Sequence, residues 1–254
     1  MSLQLRNYNV HLSAESNPAT ILNDIQCEFT PGTTTYILGK NGSGKSSLLL
    51  SLAGAPYYTT HGTAFLSEVD ISNFDASKRS ALGIFIALQS IPSIPGVTYG
   101  EFLRTIYTHK IQRENPEFKI SPFVFGRMLQ KHLDELHLSK DFLKREVNVG
   151  FSGGEKRRLE LLQLRLLEPN IILLDEIESG LDIGVFELLI SELMRLRSEG
   201  KTLIIVTHNF ELMRRVGGDQ ILIIESGNLI KTEQFSDISS TELTQYFDYH
   251  PEHA

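Results

Sequence analysis

The chain has 254 residues, enough for one large domain or two small ones to bury a core without staples. A net charge of -7 argues against a non-specific nucleic-acid binder, because phosphate contacts need clustered Lys and Arg. No run approaches the ~20 apolar residues of a membrane helix, no secretory pattern opens the chain, and Cys27 is the sole cysteine; the expectation is a cytoplasmic protein with no nucleic-acid partner, no direct membrane insertion and no internal disulfide.

In chain order, Leu3 to Thr30 alternates apolar and polar residues and reads as an antiparallel ribbon ending at Pro31-Gly32. Cys27 lies in it as a packing residue. Thr34–Leu38 is a near-continuous apolar strand, as are Ile171–Asp175 and Leu203–Thr207; strands covered on both faces require that character. Between Pro92 and about Leu167 the pattern turns helical, with helices expected over Glu101–His109 and Phe123–Leu136 and breaks at Asn115-Pro116 and Ser121-Pro122. A late hairpin is expected over Gln220–Ser226 and Asn228–Thr232, and a short capped helix over Ser239–Tyr246. The fold class is therefore α/β: a mostly parallel sheet, an antiparallel N-terminal β region and an inserted helical subdomain. The expected division is a core of about 1–92 and 168–254 and a helical subdomain of about 93–167.

Two stretches carry chemistry on their own. Gly39-Lys40-Asn41-Gly42-Ser43-Gly44-Lys45-Ser46 fits G-x-x-x-x-G-K-[ST] between an apolar strand and a helical stretch from Ser47 to Ala53. Its glycines free backbone amides to converge on phosphates, and the helix start adds its positive end. Lys45 is expected on the β- and γ-phosphates, the Ser46 hydroxyl on Mg²⁺, and the loop with Ser47 around the nucleotide. Ile171–Glu176 then ends in two acids: Asp175 is expected to hold Mg²⁺ through water, and Glu176 to orient and polarise the attacking water.

Phe151-Ser152-Gly153-Gly154-Glu155, with Ser152 as a helix cap, stands about twenty residues before that acidic strand. With this order of motifs the chain resembles the ABC ATPase superfamily, over nearly its whole length. The resemblance implies ATP and Mg²⁺ as cofactors and a head-to-tail pair of copies. In that pair, Ser152, Gly153, Gly154 and Glu155 of one chain cap the γ-phosphate of ATP held by the other. It further implies that Gln89 links the metal and water to the helical subdomain, that Asp182 in Ser179-Gly180-Leu181-Asp182 lies across the dimer seam, and that His208 hydrogen-bonds the γ-phosphate. An aromatic ring under adenine is expected near Leu12; the nearest, Tyr8, comes too early, which loosens the choice between ATP and GTP.

Within the superfamily, the runs Asn148–Arg158, Leu167-Glu168-Pro169 and Leu174–Ile183 resemble the SufC branch of iron–sulfur cluster assembly ATPases. Lys40, Gly184 and Asn209 depart from its pattern. That branch implies docking on soluble SufB- and SufD-like scaffold proteins. The alternative is the nucleotide-binding subunit of a membrane transporter.

Overall fold

The computed structural model describes residues 1–13 and 19–238. The helix expected over Ser239–Tyr246 lies outside them. The chain forms two compact units: Met1–Leu88, Asn170–Ile177 and Leu193–Ala254 in the first, Gln89–Pro169 and Glu178–Glu192 in the second. The boundaries expected from sequence did not separate residues 178–192 from the core.

The first unit holds two sheets. One is antiparallel, in the order β2 (Thr20–Phe29), β1 (Leu3–Leu12), β4 (Tyr58–Leu66), β5 (Val69–Asp70). The second has six strands, in the order β12 (Asn228–Gln234), β11 (Gln220–Glu225), β3 (Thr34–Leu38), β10 (Thr202–Val206), β9 (Ile171–Asp175), β6 (Ile84–Ala87). All its pairings are parallel except β11 with β12. Every residue of β3, β9 and β10 is buried, which accounts for their unbroken apolar sequence. Leu48, Leu49 and Leu52 of α1 (Lys45–Leu52) join Leu3, Leu5, Ile37, Leu173 and Ile204 in one apolar cluster, so the helix after the glycine-rich loop is anchored to both sheets. Arg79 of α2 (Ala76–Ala81) donates to the carbonyls of Ser51 and Leu52 and closes the end of α1.

Cys27 packs against this cluster. Burial pushes its thiol up to about 12, from an ordinary value of 9.0. At neutral pH it is the protonated, poorly nucleophilic form. Iodoacetamide at pH 7.5 is expected to alkylate the native chain roughly 1,000-fold more slowly than the chain in denaturant; equal rates, followed by mass spectrometry, would show the thiol to be accessible.

The second unit is helical apart from a short ribbon of β7 (Ile94–Thr98) and β8 (Glu146–Val147). Each helix start has a sequence cause. Thr98 caps α3 (Tyr99–Gln112). Ser121 caps α4 (Pro122–Glu135), with Pro122 in the first turn where its missing N–H costs nothing. Ser152 caps α5 (Gly153–Leu167) in a reciprocal box with Glu155. Arg165 of α5 holds Glu192 with Nε at 3.1 Å and Nη2 at 2.8 Å, which ties the returning segment 178–192 to the helices. That segment contains the first turns of α6 (Ile183–Ser198).

Candidate active site

The loop from Gly39 to Ser46 joins β3 to α1. Gly39 has φ +147°, and a Cβ there would stand 2.1 Å from the Ile224 carbonyl oxygen, so only glycine passes beneath the β11–β12 turn. Gly227 N–H donates to the Ser43 carbonyl at 3.1 Å and pins the loop from that side. Gly44, at φ +108°, begins α1 with no side chain capping its free amides. Lys45 is buried, and its ammonium donates to the carbonyls of Gly39 at 2.6 Å and Lys40 at 3.0 Å. Ser43 Oγ is buried without a hydrogen-bond partner among the described residues.

Two strand ends complete this side. The Ser46 hydroxyl donates to Asp175 Oδ1 at 2.9 Å. Burial raises the Asp175 carboxyl above its usual range and the charge of Glu176 adds to the rise, while the Ser46 bond and the Lys45 cation oppose it. Glu176 follows β9 in a left-handed conformation, φ +46°, with its N–H bonded to the Val206 carbonyl at 3.0 Å. Its Oε1 stands 3.3 Å from His208 Nε2. His208 follows β10, and Asn209, one of the departures noted above, caps α7 (Phe210–Val216) through Leu212 N–H at 2.8 Å. Asparagine there starts a helix directly behind the histidine.

The first unit thus brings together Gly39, Lys40, Asn41, Gly42, Ser43, Gly44, Lys45, Ser46 and Ser47 with Asp175, Glu176 and His208. Gln89, Ser152, Gly153, Gly154, Glu155 and Asp182 belong to the second unit. There Asp182 Oδ1 accepts from Val185 N–H at 3.0 Å. Phe151 packs edge-on to Phe142 and lies under the Arg145 guanidinium at 4.1 Å, which fixes the entry to α5. Tyr8, the aromatic nearest the expected adenine position, is fully buried and offers no face to a base. Sequence reading passed over Tyr58, whose hydroxyl meets Ser47 Oγ at 3.0 Å. Its only sequence signal is a tyrosine pair shortly after the loop's helix.

The profile of the family described as "ABC transporter" matches residues 22–179. The chain belongs to the ABC transporter family. It is an ABC-type ATPase with relatives along most of its length. The probable ATP-dependent transporter ycf16 of Antithamnion sp. is 36% identical over 231 residues, covering 91% of this chain and 90% of that one. The iron–sulfur cluster assembly protein SufC of Plasmodium falciparum is 36% identical over 231 residues, covering 90% of this chain and 66% of its own. Among solved structures, the dimeric ATP-binding cassette MJ0796 bound to ADP and Pi superposes with a TM-score of 0.75 at 22% identity, over 92% of this chain and 98% of that one. The fold of this ABC-type ATPase is accordingly that of an ATP-binding cassette.

The residues fit the ligands of the family. Uncapped helix amides, an unpartnered buried hydroxyl and an ammonium resting on its own loop are donors suited to a triphosphate. Ser46 and Asp175 present hydroxyl and carboxylate oxygens, the donors Mg²⁺ prefers beside phosphate and water. Among the described residues no helix is long and apolar enough to cross a membrane.

Proposed function

We propose that the chain hydrolyses Mg²⁺-ATP as the ATPase subunit of a SUF-type iron–sulfur cluster assembly machine, in a head-to-tail pair of copies that docks on SufB- and SufD-like proteins. One observation carries the catalytic half. The buried Lys45, the Ser46–Asp175 pair and the Glu176–His208 pair converge from the ends of adjacent parallel strands. The likeness to proteins named SufC supports the assembly half.

In this reading Lys45 leaves the carbonyls of Gly39 and Lys40 to neutralise the β- and γ-phosphates, and Ser46 and Asp175 hold the metal. Bound Mg²⁺ supplies a charge that screens the γ-phosphate oxygens and orients them for in-line attack. Glu176 orients the attacking water and draws off its proton, while His208, 3.3 Å away, hydrogen-bonds the γ-phosphate. Gln89 reports the state of this centre to the helical unit. Ser152, Gly153, Gly154 and Glu155 meet the partner copy's nucleotide, with Asp182 at the seam.

Lys45→Ala is expected to weaken Mg²⁺-ATP binding by roughly 100-fold or more in calorimetry, the loss of a charge-assisted phosphate contact in a buried setting. Binding at parental strength would remove the loop from the site. Anaerobic isolation of the native complex tests the assembly half: soluble scaffold proteins are the expected companions. A second reading, the nucleotide-binding subunit of a transporter, draws on relatives named ATP-dependent transporters. A companion that co-purifies only in detergent would select it.

A further inference from the structure

We propose that His11 and His61 form a binding site for a divalent transition-metal ion, with Zn²⁺ the best fit, on the outer face of the antiparallel sheet. The site is independent of the nucleotide reading and uses none of its residues. His11 lies on β1 and His61 on β4, and the register sets Asn9 opposite His61 and Thr59 opposite His11. The two histidines are therefore diagonal neighbours on one face, since successive residues of a strand point to opposite sides. Tyr8 and Val10, on either side of Asn9, point the other way and are fully buried, so the histidines face away from the core. Gly62 follows His61 with φ +87°, and a Cβ there would stand 2.0 Å from the Asn7 carbonyl oxygen; glycine is what lets β4 run this close to β1 beside the histidine. The two imidazole rings come to 5.3 Å, centre to centre, at 71°.

An edge-on pair of aromatic rings has a similar separation, so the distance alone decides nothing. The neighbours decide it. Asn9, opposite His61, spends both ends of its amide on main chain: Oδ1 accepts from Asp24 N–H at 3.0 Å and Nδ2 donates to the Asn7 carbonyl at 2.7 Å. Thr59, opposite His11, shares its hydroxyl with Ser13 Oγ at 2.8 Å. Thr20 Oγ1 holds His11 Nδ1 at 3.0 Å, which orients the ring and leaves Nε2 for a ligand, the support that metal-binding histidines carry. Among the described residues no hydrogen bond or ion pair occupies either nitrogen of His61. Two nitrogens on one tetrahedral Zn²⁺, each about 2.0 Å from the ion and about 1.1 Å from its own ring centre, put the rings about 5.1 Å apart; the right angle of a tetragonal Cu²⁺ or Ni²⁺ site puts them about 4.4 Å apart. The observed spacing fits zinc. Among the described residues no third histidine, cysteine or carboxylate joins the pair, so water or an outside ligand completes the shell and the ion exchanges readily.

The test is calorimetric titration of the full, nucleotide-free chain with Zn²⁺, beside thermal melts with and without the metal. The parent is expected to take up zinc and to melt at a higher temperature with it. His61→Phe keeps the ring contact but has no nitrogen, and should weaken that binding at least about tenfold, because His11 then lacks the second ligand held beside it. Its melt without zinc should match the parent's. His11→Ala should weaken binding to the same extent. His208→Ala, which removes the other histidine that stands beside a carboxylate, should keep the event. The proposal is overturned if the parent takes up no zinc at millimolar concentration, if His61→Phe and His11→Ala bind zinc as the parent does, or if His208→Ala is the variant that abolishes binding. Should His61→Phe fail to fold, His11→Ala decides alone.

Discussion

With Glu176 changed to Gln, ATP turnover is expected to fall by about 10²–10⁴-fold while nucleotide binding persists. The amide keeps the size of the side chain and one acceptor oxygen facing His208, but it cannot take a proton from water. The backbone around it is also held in place. Glu176 occupies a left-handed conformation that costs a non-glycine residue of order 1 kcal/mol, and its N–H bond to Val206 and the end of β9 keep it there. Glutamine tolerates the same backbone, so the variant should fold as the parent does. Phosphate release measures the loss. Size-exclusion chromatography with Mg²⁺-ATP should show paired copies accumulating, since the nucleotide that joins them is no longer consumed. Undiminished phosphate release would strip Glu176 of its assigned role.

Arg165→Leu is expected to destabilise the protein by about 3 kcal/mol. For a chain of this size that corresponds to a Tm lower by on the order of 6–12 °C. Glu192 is only 1% exposed, and two nitrogens of Arg165 reach its Oε2 while the third reaches Glu135 at 2.5 Å. Removing the arginine takes both of these charge-assisted bonds away from a nearly fully buried carboxylate. Replacing both partners by apolar residues, Arg165→Leu with Glu192→Met, should recover most of the loss, because the desolvation cost then disappears along with the attraction. A thermal melt unchanged in the single variant would show the pair to be idle. Lys144→Ala, which breaks an ion pair exposed on both sides, serves as the control with no shift in Tm.

Much of this architecture could be read from the chain because its signals are local. β3, β9 and β10 announce themselves by unbroken apolar runs, since each lies buried along its whole length. α4 and α5 begin where Ser121-Pro122 and Ser152 say they should. Asp175 ends buried β9, Glu176 follows it, and His208 comes two residues after buried β10, so their position at the sheet's C-terminal edge needs no tertiary information. The pieces that escaped depend on contacts distant in sequence. β4 is polar along one side and carries Gly62, whose Cβ would collide with the Asn7 carbonyl of β1; that glycine reads as a turn until the neighbouring strand is in place. β7 contains Pro95 and Gly96, which argue against a strand unless β8 pairs with it. The grouping of residues 178–192 with the helical unit follows the Arg165–Glu192 pair, which no helical spacing encodes. Tyr58 gains meaning only from the register that sets Leu12 beside it.

The order of strands in the large sheet also bears on the protein's birth. Among the described residues β3, which delivers the glycine-rich loop, pairs with β10 and β11 alone. Roughly 160 residues separate Leu38 from Thr202, and at ~5–20 residues per second a ribosome takes about 8–30 s to make them. Throughout that interval an apolar strand has emerged without either of its hydrogen-bonding neighbours, and the nascent chain must be shielded or held in the antiparallel N-terminal sheet. Truncated chains ending before Thr202 are therefore expected to be chaperone clients, and the nucleotide pocket to be among the last parts of the molecule to form.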